Sequence, residues 1–394
     1  MSKIEELIKK LCPNGVEYRK LTDVANVLYG YPCDATMFNE ANNGIPLIRI
    51  RNVLAGMTET YTTENIPQEY IIKKGDLLVG MDGNFHVGNW KMDEAFLCQR
   101  VCKIYAKNNE NEILNGFLSH LLGPIMKKIE NGKQSGTVKH LLAKDINSIS
   151  IPIPPLEVQC EIVRILDTFT SLTAELTAKL KAELTARRKQ YEYYRDMLLS
   201  EEYLNNKSME LFIKCNNPIK KCKLKNVAEI TRGKRLVRSN LEEIGKFPVF
   251  QNSLKPLGYY YNKNFSGDKT CVISAGAAGK IFYRENDFWA ADDVFVIDSD
   301  SILNKYIYYF LLSKQKLIET KVRKASVPRL SREEIERLDI LIPNVELQKL
   351  IVEVLDKFQD LLSNTQGLLS KEISLRQKQY EYYRQKLLSF SAEK

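Results

Sequence analysis

At 394 residues and 44% hydrophobic composition, the chain is long enough for two or three domains, because a single core rarely grows past roughly 250–300 residues. Its net charge of +9 is a moderate basic excess without a polybasic tail, compatible with nucleic acid or acidic proteins and diagnostic of neither. No apolar run approaches the roughly 20 residues that cross a bilayer, and the start MSKIEELIKK has no apolar signal region; a soluble, cytoplasmic protein with no membrane partner is expected, its eight scattered cysteines reduced.

In chain order, Ser2 followed by Glu5 reads as a capping box opening a short helix, with Ile4, Leu7, Ile8 and Leu11 on one face and Pro13-Asn14-Gly15 ending it. Leu47–Arg51 and Asp76–Met81 read as strands, and Asp82-Gly83 as a two-residue hairpin turn into Phe85–Trp90. Asn115–Ile129 reads as a helix and Ile149–Ile153 as a short strand before Pro154-Pro155. The period then changes. Ile162, Leu166, Phe169, Leu172, Leu176, Leu180, Leu184, Tyr191, Tyr194 and Leu198 fall mainly three or four residues apart, which predicts one amphipathic helix of roughly 43 residues, about 65 Å long at its rise of 1.5 Å per residue.

Strands and turns resume from Lys223 to about Asp300, including Tyr259-Tyr260-Tyr261 and the glycine-rich Ser274–Gly279. A helix from Asn304, a capping-box helix at Ser331 and Glu334, a strand at Ile340–Ile342 and Pro343 follow. A second long helix carries Ile351, Leu355, Phe358, Leu361, Leu369, Ile373, Tyr380, Tyr383 and Leu387. Gly367 within it costs about 1 kcal/mol of helix propensity and predicts a bend or a close helix approach there.

These elements are one plan stated twice. RRKQYEYYRDMLLS at Arg187–Ser200 returns as RQKQYEYYRQKLLS at Arg376–Ser389, identical at 11 of 14 positions and displaced by 189 residues. The register extends upstream to Pro154 with Pro343 and Gln159 with Gln348, while Leu21–Ala25 resembles Leu224–Ala228 at a displacement of 203. Such a period is too long for a solenoid, so each repeat is a domain plus a connector. A long apolar stripe needs a partner as long as itself. The expected fold is therefore α+β: two mixed α/β domains separated by two long helices that form an intramolecular antiparallel coiled coil, with the domains at opposite ends of a rod and an internal pseudo-two-fold repeat. The divisions fall at 1–150, 151–203, 204–339 and 340–394, and the middles of the repeats, which differ most, face different partners.

Catalytic and metal chemistry find little support. Gly276-Ala277-Ala278-Gly279-Lys280 has only two residues between its glycines and Ile281 where a phosphate loop places Ser or Thr, so it reads as a hairpin turn. Cys98 with Cys102, and Cys215 with Cys222, lack zinc spacing and read as buried thiols. His86, His120 and His140 stand in unrelated contexts, and no Asp/Asn-Pro-Pro-Tyr/Phe methyltransferase sequence occurs. What remains are cations and amides among aromatics. The first middle offers Arg49, Arg51 and Asn52 alternating along a strand, Asn84, His86 and Trp90 after the hairpin turn, and the loop with Lys133, Gln134, Ser135, Thr137 and Lys139. The second offers Arg232, Lys234, Arg235, Arg238, Tyr260, Lys280, Arg284, Arg323, Lys324 and Ser326. These residue types read base edges and hold phosphates, although a charge run is more often a solvated face.

With the repeat in hand, the chain resembles the specificity subunit of a type I restriction-modification system. The match is carried by IEELIKKLCPNGV at Ile4–Val16, by Gly75–Val79, and by IPIPPLEVQ at Ile151–Gln159 and ILIPNVELQ at Ile340–Gln348, each leading into a long helix. The resemblance implies that 1–150 and 204–339 are target recognition domains, each reading one half of a split double-stranded DNA site, with the helices of 151–203 and 340–394 as ruler. It implies docking of two adenine methyltransferase subunits, with motor-nuclease subunits joining them. S-adenosylmethionine, ATP and Mg2+ then serve those partners, and this chain holds no cofactor, metal or catalytic residue. Tyr193 and Arg195, with Tyr382 and Arg384, are the expected docking residues, because the two tyrosines fall off the apolar stripe yet recur in both copies. A targeting subunit for methylation without a nuclease, and a scaffold whose heads bind proteins, are the other readings of the same pattern.

Overall fold

The structure is a computed structural model and describes residues 3–107, 112–133, 138–211 and 219–393. The chain divides into two compact units, residues 1–177 with 372–394, and residues 178–371. Each unit therefore contains the first turns of one long helix and the last turns of the other, so the two helices run antiparallel. The first spans Leu156–Leu198 and the second Val345–Leu388. No helix among the described residues is long and apolar enough to cross a membrane.

The two displacements seen in the sequence have a structural cause. The start of each repeat and its proline junction are paired strands of one antiparallel ladder. Glu17–Lys20 pairs with Ser150–Ile153 in the first unit, and Lys220–Lys223 pairs with Asp339–Ile342 in the second. Between these fixed edges the chain builds a four-stranded antiparallel sheet. Its order is Ala25–Tyr29, Val101–Ala106, Leu77–Gly80, Val87–Asn89 in the first unit, and Glu229–Arg232, Val294–Asp298, Lys269–Ile273, Ile281–Arg284 in the second. The outer sheets diverge: five strands in the first unit and three in the second among the described residues. A helix then covers each central sheet, Asn115–Gly132 or Asn304–Ser313.

Each long helix is seated by its first three turns. Val158, Ile162 and Leu166 are fully buried in the core of the first unit, and Leu347, Ile351 and Leu355 occupy the same register in the second; each such side chain contributes roughly 1.5–3 kcal/mol on burial. The junction glutamine locks the seat. Gln159 accepts the Leu114 N–H at 2.9 Å and donates Nε2 to the carbonyls of Pro154 at 2.8 Å and Glu112 at 2.9 Å. Gln348 accepts from Leu303 at 3.0 Å and donates to Pro343 at 2.9 Å. Both glutamines are buried, so each side-chain amide has to find its partners within the protein, and the backbone groups of the junction supply them.

Several expectations are corrected. Cys33 and Cys98 form a disulfide, because the end of strand Ala95–Leu97 bridges to Tyr31 and carries Cys98 beside Cys33; the cysteines are not all free thiols. Cys102 and Cys271 are buried thiols, the former pushed up to about 12 by burial. Nothing lies within contact of a Cβ placed on Gly367, and its helix runs on through it, so no close approach marks that residue. Leu172 and Leu361 follow the stripe in sequence but are 58% and 62% exposed. Ser331 precedes helix Arg332–Glu336 without a side-chain capping bond. Ser2 and Cys215 lie outside the described residues.

Candidate nucleic-acid interface

In the first unit Arg49, Arg51 and Asn52 do not alternate along a strand. The strand ends at Ile48, and Ile50–Asn52 is a single 3-10 turn, stabilised by the Asn52 side-chain carbonyl accepting the Arg49 N–H at 3.2 Å. The turn brings both guanidinium groups onto one hydroxyl: Arg49 donates to Thr60 Oγ1 at 3.1 Å and Arg51 donates to it at 3.3 Å. Arg49 also lies 5.4 Å from the centre of the Phe38 ring. Burial, then the neighbouring Arg51 charge, pull the Arg49 guanidinium below its usual range, and its Nε is buried without a partner. An anion approaching this turn relieves the repulsion of two cations held together. Asn84, exposed, and His86, half-buried, occupy the hairpin loop, whose turn is made at Gly83 with φ +70°. Lys133 is paired with Asp145 at 2.6 Å, and Lys139 donates to the Glu130 carbonyl at 2.7 Å. Gln134, Ser135 and Thr137 lie outside the described residues.

In the second unit the strand Glu229–Arg232 exits through Gly233, where a Cβ would stand 2.2 Å from the Ala291 carbonyl oxygen. That close approach seats the following basic stretch on the outer sheet. Arg232 donates to the Asp292 carbonyl at 2.6 Å, and the Trp289 indole donates to the Lys234 carbonyl at 3.0 Å. Tyr260 stands edge-on to Trp289 at 5.1 Å and lies 4.2 Å from Tyr261. Lys234, Tyr260 and Trp289 are thus brought together, with Arg235 and Arg238 exposed nearby in sequence. Lys280 is held by Glu319 at 2.6 Å, and Arg284 lies over Phe250 at 5.1 Å with its Nε buried and unpartnered. Arg323, Lys324 and Ser326 are exposed on one loop. Within the tyrosine run that the sequence singles out, Tyr261 is 61% exposed; sequence reasoning passed over Trp289 and Arg329, and the contact of Trp289 with Lys234 joins residues 55 apart in sequence.

The helix ends repeat their geometry. Tyr193 and Tyr382 are 66% and 62% exposed, each edge-on to its neighbour Tyr194 or Tyr383 at 72°. Arg195 and Arg384 fold back over Tyr191 and Tyr380, and Arg195 is also paired with Asp196 at 2.7 Å. No group of three or more His, Cys, Asp or Glu side chains able to hold a metal occurs among the described residues.

Residues 13–186 and 216–373 match the family model described as the type I restriction modification DNA specificity domain. A putative type I restriction enzyme specificity subunit of Haemophilus influenzae is 31% identical over 98% of this chain and 98% of its own. The EcoR124I/EcoR124II specificity subunit of Escherichia coli is 32% identical over 73% of this chain and 74% of its own. Among solved structures, a chain from a study of complex assembly and conformational transition in the type I R-M system superposes with a TM-score of 0.65 at 17% identity, covering 95% of this chain and 98% of that one.

Proposed function

The chain belongs to the type I restriction modification DNA specificity family, and we propose that its two units each read one half of an asymmetric, split site in double-stranded DNA. As a specificity subunit it is non-catalytic, and catalysis lies in partner subunits. Two adenine methyltransferase subunits use S-adenosylmethionine to modify the site, docking where Tyr193 and Tyr382 present the same surface twice. Motor-nuclease subunits, using ATP and Mg2+, restrict unmodified DNA.

The observation that carries this reading is the contrast within the repeat. The ladders, glutamine clamps and helix seats recur in both units, whereas the cationic groups differ: two arginines on a turn in one, an arginine-lysine stretch beside Tyr260 and Trp289 in the other. A common frame with unlike cationic faces suits two unlike half-sites. Cations take phosphates, and the amides, guanidinium groups and aromatic rings take base edges.

Exchange of residues 16–150 for those of a relative tests it. Mapping methylated adenines in the host should then show one half-site changed and the other kept. Insertion of equal helical turns into both long helices should lengthen the unread spacer and keep both halves. A domain exchange that alters both halves together overturns the division of reading between units.

A further inference from the structure

The two outer sheets share a three-stranded middle. Ile45–Ile48 and Phe247–Phe250 are four-residue strands with proline second, displaced by 202 residues, one short of the 203 at the start of the repeats. Each pairs antiparallel on one side, where Pro46 faces Tyr61 and Pro248 faces Tyr259. Each pairs parallel on the other, where Ile48 faces Leu97 and Phe250 faces Ala290. The chain therefore leaves both strands at one equivalent point. It continues as Arg49-Ile50-Arg51-Asn52 in the first unit and as Gln251-Asn252-Ser253-Leu254 in the second. Both turns also lean on the hairpin of the central sheet. A Cβ on Gly80 would stand 3.3 Å from Cγ2 of Ile50, one on Gly276 would stand 2.9 Å from Cβ of Asn252, and Ala277 donates its N–H to the Asn252 carbonyl at 2.9 Å.

At this turn the frame is kept, the side chains are exchanged, and their support is exchanged with them. Arg49 and Arg51 rest on the Thr60 hydroxyl. Thr60 accepts the Leu47 N–H at 2.8 Å on its carbonyl, whereas the residue facing the equivalent Val249 is Gly258, which has no hydroxyl. Neither guanidinium has an ion pair among the described residues. In the second unit the Asn252 side chain is exposed and has no hydrogen-bond partner among the described residues, and the Gln251 amide donates to Asp293 at 3.4 Å.

We infer that this turn reads base identity in each unit, Arg49 and Arg51 specifying a guanine in the first half-site and Gln251 with Asn252 an adenine in the second. The inference rests on the DNA-reading function proposed above and names the element that does the reading. The sugar-phosphate chain is the same in both half-sites, so a phosphate contact gives no reason to replace two cations by two neutral amides at one position of a common frame. Base edges do differ. A guanidinium offers paired N–H donors to O6 and N7 of guanine, whereas a carboxamide donates to N7 and accepts from N6 of adenine. Arg49, held on Thr60 and beside the Phe38 ring, has its fork set before DNA arrives, and a fixed fork is what bidentate contact requires.

The test uses the full-length chain assembled with its methyltransferase subunits. Methylation mapping gives the site, and exchange of residues 16–150 assigns the half read by the first unit. Duplexes then carry the mapped site, the site with each base pair replaced in turn, or both halves scrambled. Arg51→Ala leaves Arg49 on Thr60, so the thermal transition should match wild type; the ratio of affinities between duplexes, read on one preparation, is in any case independent of how much of it is folded. The variant should bind the mapped duplex roughly 5- to 150-fold more weakly. Replacing one G·C pair of the first half should cost the wild type a similar factor and the variant little. Gln251→Ala with Asn252→Ala should do the same for one A·T pair of the second half, other than the methylated one, and leave the requirements of the first half intact. Equal weakening of Arg51→Ala on mapped and scrambled duplexes, with the slope of log affinity against log salt lowered by about 1, makes the arginine a phosphate contact and overturns the inference. Unchanged binding by either variant, or a first half-site in which no G·C pair is required, overturns it equally. A wild-type assembly that binds mapped and scrambled duplexes alike refutes the DNA-reading function itself.

Discussion

The imidazole of His120 lies 2.7 Å from the carboxylate of Asp167. Its other ring nitrogen lies 3.2 Å from the Tyr380 hydroxyl, so a neutral ring protonated at Nε2 donates to Asp167 and accepts from Tyr380. The second unit places Tyr309 where the first has His120, 189 residues on, and Tyr309 donates its hydroxyl to Asp356, the counterpart of Asp167. One structural position is thus filled by an imidazole in one unit and by a phenol in the other.

Burial, outweighing Asp167, holds the His120 imidazole below its ordinary value of 6.5. A lowered folded value means that the unfolded chain binds the extra proton first, so the contribution is complete above about 6.5 and is lost as pH falls below it. The thermal transition of the first unit should therefore drop between neutral and mildly acidic pH, and His120→Tyr should remove that dependence. An unchanged pH profile in the variant contradicts the assignment.

Truncating the junction glutamine should be costly in either unit. Gln159→Ala strands the Leu114 N–H and the carbonyls of Pro154 and Glu112, and Gln348→Ala does the same to Leu303 and Pro343. Leaving such buried groups unpaired costs about 1–3 kcal/mol each. Denaturant titration of each variant should show a lowered midpoint for the unit that carries it.

Glycine replacements should separate by position. Gly233→Ala puts a Cβ 2.2 Å from one backbone oxygen and 2.4 Å from another, and Gly30→Ala puts one 2.1 Å from the Cys98 carbonyl; neither neighbour is a flexible side chain, and both variants should melt lower. Gly367→Ala meets nothing within contact and should stabilise by about 1 kcal/mol through helix propensity. A Gly367→Ala chain that melts lower than wild type shows that the residue is spared for another reason.

Tyr193→Glu with Tyr382→Glu should weaken association with methyltransferase subunits, read by co-purification or sedimentation, while the chain's own thermal transition is nearly unmoved. Both rings are mainly exposed, so their loss removes little core. Unaltered assembly counts against docking at these ends.

The sequence by itself determined the repeat, the length of the long helices and the positions of the junctions. Each of these is written in local pattern: an apolar residue every third or fourth position specifies a helix wherever the chain sits, and Pro154 and Pro343 mark where it begins. The 14-residue difference between the displacements 203 and 189 even located the divergent insert between the two ladder strands. Tertiary structure alone decided which cations are free. Lys280 and Lys133 look as basic in sequence as Arg323, yet Glu319 and Asp145 neutralise them, and those partners come from other elements of the fold. It decided too that Arg49 and Arg51 share a turn and a single threonine, since Thr60 reaches them only once the outer sheet has formed. Charge is a property of a side chain, whereas its availability to a ligand depends on what folding brings within about 4 Å of it, and composition carries no record of that distance.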